Sequence, residues 1–392
     1  MSWPRSIGAS RQRDRIISPV PRTIAINAAI VGERPTGLGV FALSVIQALA
    51  GLGERLVVFT SRPDLVTAPN VGVLSAPAMA RPERGAVGHV ARLLWAQSGL
   101  RLRVRAARPS LLLNLMPEGL LRPAVPQITT VLDLLPLRYP EEYPRQQYYF
   151  RHYVPAVLRH SRKVIVISES TRRDVLRFYP GVAPEQIQVV LCGYDRERFC
   201  AGGPVVSDGG EPYALYVGNV MPHKNLLRLV DAVARARFHA PFRLVMRGSG
   251  HARHVAELRA AIDARGLAPF VDWQPYAAAD TLPALYRGAR VLVLPSLYEG
   301  FGLTALEAMA CGTPVVTTST SSLPEVVGDA ALLVDPHDIG ALADALVRVI
   351  TDDALAKTLG ARGLARAPFF SWERTARAVQ GAITSALDGT RL

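Results

Sequence analysis

Short apolar runs that do not alternate with polar residues, separated by longer amphipathic stretches, set the narrowest limit on how this chain folds. A strand exposed on one face alternates in polarity, whereas a strand covered on both faces reads as continuous Val, Ile and Leu. Runs of the second kind occur at Thr23–Ile30, Arg55–Thr60, Leu111–Leu115, Ile128–Leu134, Val164–Ser168 and Ile187–Leu191. Helical stretches lie between them near Leu38–Ala50, Val87–Arg105, Arg145–Arg159 and Thr171–Tyr179. Around 200–212 the text turns to Ala-Gly-Gly-Pro, Ser-Asp-Gly-Gly and Glu-Pro, a linker signal. A second series follows at Tyr213–Gly218, Phe242–Gly248, Val291–Pro295, Pro314–Thr317 and Leu332–Asp335, with a last helix at Trp372–Leu387. The pattern predicts an α/β chain of two successive doubly wound domains. The expected divisions are a basic tail over 1–20, a first domain over 21–203, a second over 204–370 and a closing helical segment over 371–392.

Charge divides at the same linker. Residues 1–203 carry 27 basic and 14 acidic side chains, so the whole net charge of +13 resides there. A basic half suggests an anionic partner: nucleic acid, an anionic membrane or a phosphorylated substrate. Within it, Arg92, Arg101, Arg103, Arg105 and Arg108 flank Val90, Leu93, Leu94, Trp95, Leu100 and Leu102. If helical, this stretch either lies on an anionic membrane or packs as an ordinary helix with a solvated face. No nucleic-acid module accompanies the charge, so nucleic acid is not an expected partner. The Arg-rich opening lacks the apolar core of a secretory signal, and no run reaches the ~20 apolar residues of a membrane span. With three cysteines and no paired spacing, the expected setting is cytoplasmic, with reduced thiols.

Two glycine-bearing turns carry chemistry. Gly37-Leu38-Gly39-Val40-Phe41-Ala42 fits a phosphate-turn pattern after the first strand. Its glycines arrive late and no acidic residue ends the second strand, so a nicotinamide dinucleotide site, a simple tight turn and a loop facing some other ligand all remain. The second and more specific text runs from Val291 to Val316 and includes Glu299-Gly300-Phe301-Gly302-Leu303 and Glu307. A loop here would offer the amides of Phe301, Gly302 and Leu303 to a diphosphate at a helix N-terminus. Glu299 and Glu307 suit vicinal sugar hydroxyls, because carboxylates accept two hydrogen bonds side by side. Lys224, one of only three lysines, follows Gly218-Asn219 and is placed to meet the same diphosphate; Gly248 ends the next strand.

The run Glu299 to Glu307 continues into Ala308-Met309-Ala310-Cys311-Gly312-Thr313-Pro314, with Leu323-Pro324-Glu325-Val326 further on. These residues, with Gly37-Leu38-Gly39, Val166-Ile167-Ser168-Glu169-Ser170 and Phe370-Ser371-Trp372, resemble the retaining transferases of glycosyltransferase family 4. The resemblance implies the GT-B fold, two Rossmann-like domains with a cleft between them, and a final helix packed back on the first. It implies that Glu299 contacts the donor sugar, that Glu307 holds the ribose and that Lys224 neutralises the leaving diphosphate. Gly37 to Gly39 would close on the donor phosphate or the acceptor. It implies no cofactor and no metal: a nucleotide sugar is the donor substrate, and no Asp-x-Asp motif is present. Two positions depart from the family pattern. Leu132 stands where a His usually precedes Asp133, leaving Asp133 to help position the acceptor or else to cap a turn. Asn219 stands where many relatives have an Arg.

The motif style is similar to bacterial exopolysaccharide α-mannosyltransferases. That implies GDP-mannose as donor and a polyprenyl-diphosphate-linked saccharide as acceptor, with a UDP-hexose donor as the alternative. A catalytically silent sugar-nucleotide-binding protein is the reading that Leu132 motivates.

Overall fold

The computed structural model describes residues 22–33, 37–206, 210–275 and 281–388; the expected basic tail over 1–20 lies outside them. Seven strands form the first sheet: β1 Thr23–Asn27, β2 Arg55–Thr60, β3 Val71–Ser75, β4 Leu111–Asn114, β5 Gln127–Val131, β6 Lys163–Val166 and β7 Ile187–Val189. All pair in parallel, in the order β3-β2-β1-β4-β5-β6-β7. Six more build the second: β8 Tyr213–Val217, β9 Arg243–Arg247, β10 Val271–Gln274, β11 Val291–Leu294, β12 Val315–Thr318 and β13 Ala331–Val334. These too are parallel, ordered β10-β9-β8-β11-β12-β13. Helices cover both sheets, so the central strands β4, β5, β11 and β12 are buried along their whole length.

Two strands are additions to the sequence reading. β3 and β10 each form one edge of their sheets, opposite β7 and β13, and are largely exposed or half-buried. One contains Gly72 and the other Asp272, so neither presents the continuous apolar run of a covered strand. The linker is not free either: Val206 N–H bonds to the Ala284 carbonyl, and Arg287 bonds the carbonyls of Pro204 and Cys200.

The basic stretch needs a correction. Helices Gly85–Trp95 and Arg101–Ala107 are joined by a widened turn over Ala96–Leu100. Arg92, Trp95 and Leu100 turn inward, and Arg92 pairs with Glu118. These three therefore belong to the interior and cannot meet a membrane. Val87, Val90, Leu94 and Leu102 face outward, as do Arg101, Arg103 and Arg105. No helix among the described residues is long and apolar enough to cross a membrane.

The last helix, Trp372–Asp388, leaves the second sheet's half of the chain and lies against the first helix, Gly37–Gly51. Phe41 and Trp372 meet edge to face with centroids 6.1 Å apart. Thr375 Oγ1 donates to the Leu191 carbonyl, and the Gln380 amide donates to Glu54. One buried apolar cluster runs through both sheets and this helix.

Candidate active site

In open parallel sheets ligands sit beyond the carboxyl ends of the strands where the winding direction reverses. In the second sheet that point lies between β8 and β11. The loop after β8 passes through Gly218 and Asn219 into one tight turn, Pro222–Lys224. Asn225 follows in the left-handed conformation and opens helix Leu226–Arg237. Its buried amide donates to the carbonyls of Pro295 at 3.0 Å and Pro336 at 2.7 Å. The loop after β8 is thereby tied to the loops after β11 and β13, and Lys224 is held beside the loop that carries Glu299.

Lys224 Nζ lies 2.7 Å from Glu299 Oε1, and Ser296 Oγ donates to the same oxygen at 2.7 Å. The Glu299 amide donates to Ser321 Oγ at 2.8 Å. One carboxylate oxygen is thus saturated by the protein, while Oε2 has no protein partner among the described residues. The two side chains are 14% and 13% exposed, enough to present that oxygen and the ammonium to the cleft.

Helix Leu303–Ala310 begins four residues after Glu299, with Gly302 as its left-handed cap. No protein acceptor takes the Gly302, Leu303 or Thr304 amides among the described residues, which leaves converging donors for an anion. Phe301 turns its ring into the core against Phe370, with centroids 5.9 Å apart, and its amide likewise has no protein acceptor among the described residues. Glu307 lies in this helix and accepts from Tyr286 Oη at 3.0 Å. Burial pushes its carboxyl up to about 7, although the Tyr286 hydrogen bond works the other way.

Asn219 is exposed, and its carbonyl accepts from Tyr216 Oη at 2.8 Å. Gly248 is required for packing: a Cβ there would collide with the Gly218 carbonyl. The sequence pointed to a backbone approach at Gly248, and the structure shows one between two protein loops.

The first domain supplies the facing wall. Asp133 follows β5, accepts from the Leu135 amide at 3.1 Å and is lifted above the ordinary carboxyl range by burial. Leu132 before it is buried in the core. A Cβ on Gly300 would lie 2.6 Å from the Leu132 carbonyl oxygen, so only glycine lets the Glu299 loop reach this wall. Gly37 opens its helix exposed and with open space around its Cα, whereas Gly39 is buried. Leu38 between them lines a cavity that also reaches Leu132 and Asp133. Structure therefore brings Lys224, Glu299 and Asp133 to one place, with Glu307 and the free amides beside it.

Several contacts across the cleft were not legible beforehand. Ser168 Oγ donates to the Gly300 carbonyl at 2.9 Å. The Glu325 carboxylate accepts from the Glu169 and Ser170 amides at 2.7 Å each, capping helix Glu169–Phe178 of the opposite domain. Tyr298, beside Glu299, donates to Asp174, whose other oxygen takes Arg138. Ser168, Ser170 and Glu325 stand in matched motifs without an assigned partner; Tyr298 and Asp174, 124 residues apart, give no local signal. Among the described residues no cluster of three or more His, Cys, Asp or Glu is placed to hold a metal ion.

Two family models match, one for each half: Glycosyltransferase Family 4 over residues 35–198 and Glycosyl transferases group 1 over 204–366. An O-antigen chain mannosyltransferase B from Escherichia coli is 33% identical over 63% of this chain and 67% of its own length. The chain belongs to glycosyltransferase family 4. A D-inositol 3-phosphate glycosyltransferase from Salinispora arenicola is also 33% identical, over 56% of the chain. The match spans about half of that relative's length, 54%. Among solved structures, sucrose-phosphate synthase from Thermosynechococcus elongatus superposes with a TM-score of 0.77 at 24% identity, over 94% of this chain and all of that one. The Anabaena HepE protein in complex with UDP-glucose gives 0.72 at 19% identity, over 93% of this chain and 100% of its own. These likenesses establish the two-domain GT-B fold.

Proposed function

We propose that this glycosyltransferase moves a hexose, with retention of configuration, from a nucleotide sugar to a lipid-linked saccharide. The observation that carries the reading is the pair Lys224–Glu299 at the strand-reversal point, beside unpartnered helix amides and facing Asp133. The bond from the sugar C1 to the diphosphate breaks as the bond from C1 to an acceptor hydroxyl oxygen forms on the same face. The acceptor proton leaves on the departing phosphate. Lys224 and the Gly302–Thr304 amides stabilise the charge that develops on the diphosphate, which makes a metal ion unnecessary. Glu299 Oε2 and Glu307 accept from sugar and ribose hydroxyls, and Gly37 to Gly39 close over the ligand.

GDP-mannose is the favoured donor, supported by the mannosyltransferase relative and the Gly-Asn-Val-Met-Pro-His-Lys-Asn text. The outward Val87, Val90, Leu94 and Leu102, together with Arg101, Arg103 and Arg105, support peripheral contact with an anionic membrane that carries a polyprenyl-diphosphate acceptor. The deciding experiment screens GDP-mannose, UDP-glucose, UDP-N-acetylglucosamine and the free nucleotides by thermal shift, then assays transfer of radiolabelled sugar with and without EDTA. A GDP-mannose shift and EDTA-insensitive transfer support the reading. Donor binding without transfer over a broad acceptor panel points to a silent binding protein instead.

A further inference from the structure

The end of β12 and the turn after it carry six consecutive hydroxyl residues, Thr317-Thr318-Ser319-Thr320-Ser321-Ser322. The β11–β12 ladder stops at Leu294 opposite Thr317, and side chains take over where backbone pairing ends. Thr317 Oγ1 donates to the Leu294 carbonyl at 2.8 Å and Thr318 Oγ1 to the Ser296 carbonyl at 2.7 Å. Thr320 Oγ1 lies 3.4 Å from the Ser296 carbonyl oxygen and 3.3 Å from that of Leu297. Ser321 Oγ accepts from the Glu299 amide at 2.8 Å. The Ser322 hydroxyl is shared between the carbonyls of Glu299 and Phe301, 2.9 Å from each. Ser319 is exposed, and its side chain bonds to nothing among the described residues. Five of the six hydroxyls thus follow the backbone from Leu294 to Phe301, in order, along the loop that carries Glu299.

A loop outside the ladder takes its shape from whatever satisfies its backbone groups. Within this row Ser321 is the strained member. Its φ is +53°, in the left-handed region that disfavours any side chain and that glycine enters freely. The hydroxyl gained in return holds the Glu299 amide, which no other acceptor takes among the described residues. That bond anchors the backbone of Glu299 from behind, while Lys224 and Ser296 hold its Oε1 from the side. The two anchors together fix where Oε2 points. A strained conformation kept at such a contact marks a position selected for geometry rather than for stability.

We infer that Ser321 is a positioning residue for sugar transfer: its hydroxyl, carried on a left-handed backbone within the Thr317–Ser322 row, fixes the Glu299 amide and so aims the free carboxylate oxygen at the donor sugar. The inference rests on the glycosyltransferase reading above, which makes Glu299 the group that meets that sugar.

Two substitutions separate the hydroxyl from the strain. Ser321→Ala keeps the left-handed cost and loses the acceptor, whereas Ser321→Gly loses the acceptor and relieves the cost. In transfer assays with GDP-mannose both should lower kcat about tenfold, the value of one hydrogen bond, with the donor KM within about threefold. The Gly variant should nevertheless melt above the Ala variant. A merely structural role would make activity follow stability, with Gly recovering what Ala loses. Ser319→Ala, in the same row but outside the contacts, should match wild type. Hydrogen exchange over residues 296–302 of the ligand-free full chain reads the loop without turnover. It should speed about tenfold at the Glu299 amide in both Ser321 variants. Wild-type kcat in Ser321→Ala, recovered activity in Ser321→Gly, an equal loss in Ser319→Ala or unchanged exchange at Glu299 overturns the inference. Faster exchange in both variants of a protein that transfers sugar from neither GDP-mannose nor UDP-glucose leaves Ser321 as the residue that sets the loop and removes the donor reading instead.

Discussion

Glu307 sets donor binding against stability, and Glu307→Gln separates the two. Burial moves this carboxyl from an ordinary 4.5 to about 7. Below pH 4.5 it is protonated in both folded and unfolded chains and contributes nothing to the difference. Between 4.5 and 7 the unfolded chain has released the proton that the folded chain keeps, so stability falls as pH rises. Above 7 both are ionised, and the folded state carries a penalty of about 3 kcal/mol, at 1.36 kcal/mol per pKa unit. Gln is close in shape and retains an acceptor for the Tyr286 hydroxyl. The variant should therefore match wild type near pH 4.5 and become more stable by up to about 3 kcal/mol at pH 8, read from urea unfolding across that range. Donor affinity should move in the opposite sense. If the carboxylate takes the ribose hydroxyls, wild-type affinity for the nucleotide sugar drops about tenfold from pH 8 to 6 as the carboxylate fraction falls. The Gln variant should bind more weakly and independently of pH. A stability difference that does not change with pH would refute the burial argument; a flat wild-type affinity would refute the ribose contact.

Other expectations follow from the remaining contacts. Glu299→Ala and Lys224→Ala should each lower kcat/KM by about 10²-fold or more with unchanged circular dichroism, the usual loss for a group that meets developing charge; wild-type kinetics in either would remove the pair from the site. Glu325→Ala uncaps the helix of the opposite domain and should raise the radius of gyration in small-angle scattering, and identical scattering curves would show that other contacts hold the cleft. Phe41→Ala should cost about 3 kcal/mol, seen as a lowered thermal midpoint, because it empties the seat of Trp372. Leu94→Asp with Leu102→Asp should abolish co-sedimentation with vesicles containing anionic lipid; salt-insensitive binding of wild type would speak against the arginines beside them.

Legibility followed burial. Covered strands such as β4 and β11 announced themselves as apolar runs, because helices on both faces leave no polar side to write. β3 and β10 did not, since a sheet edge tolerates Gly72 and Asp272. The Glu299 loop was readable because a strand end, glycines, carboxylates and a helix start fall within a few residues of each other. Arg92 misled for the opposite reason. Its local text is that of a charged helix face, and only Glu118, 26 residues later, reveals that it is internal. The Tyr298–Asp174 bond is likewise made by tertiary folding alone.

The return of helix Trp372–Asp388 to the first domain has a consequence for synthesis. Phe41 is made early, yet the ring that covers it belongs to residue 372. At about 5–20 residues per second, roughly 17 to 66 s separate the synthesis of Phe41 from that of Trp372, and the first helix keeps an apolar flank bare until then. Its folding cannot finish in the order in which it is translated, so a nascent chain stalled before Trp372 should be a chaperone client, while the released chain should not.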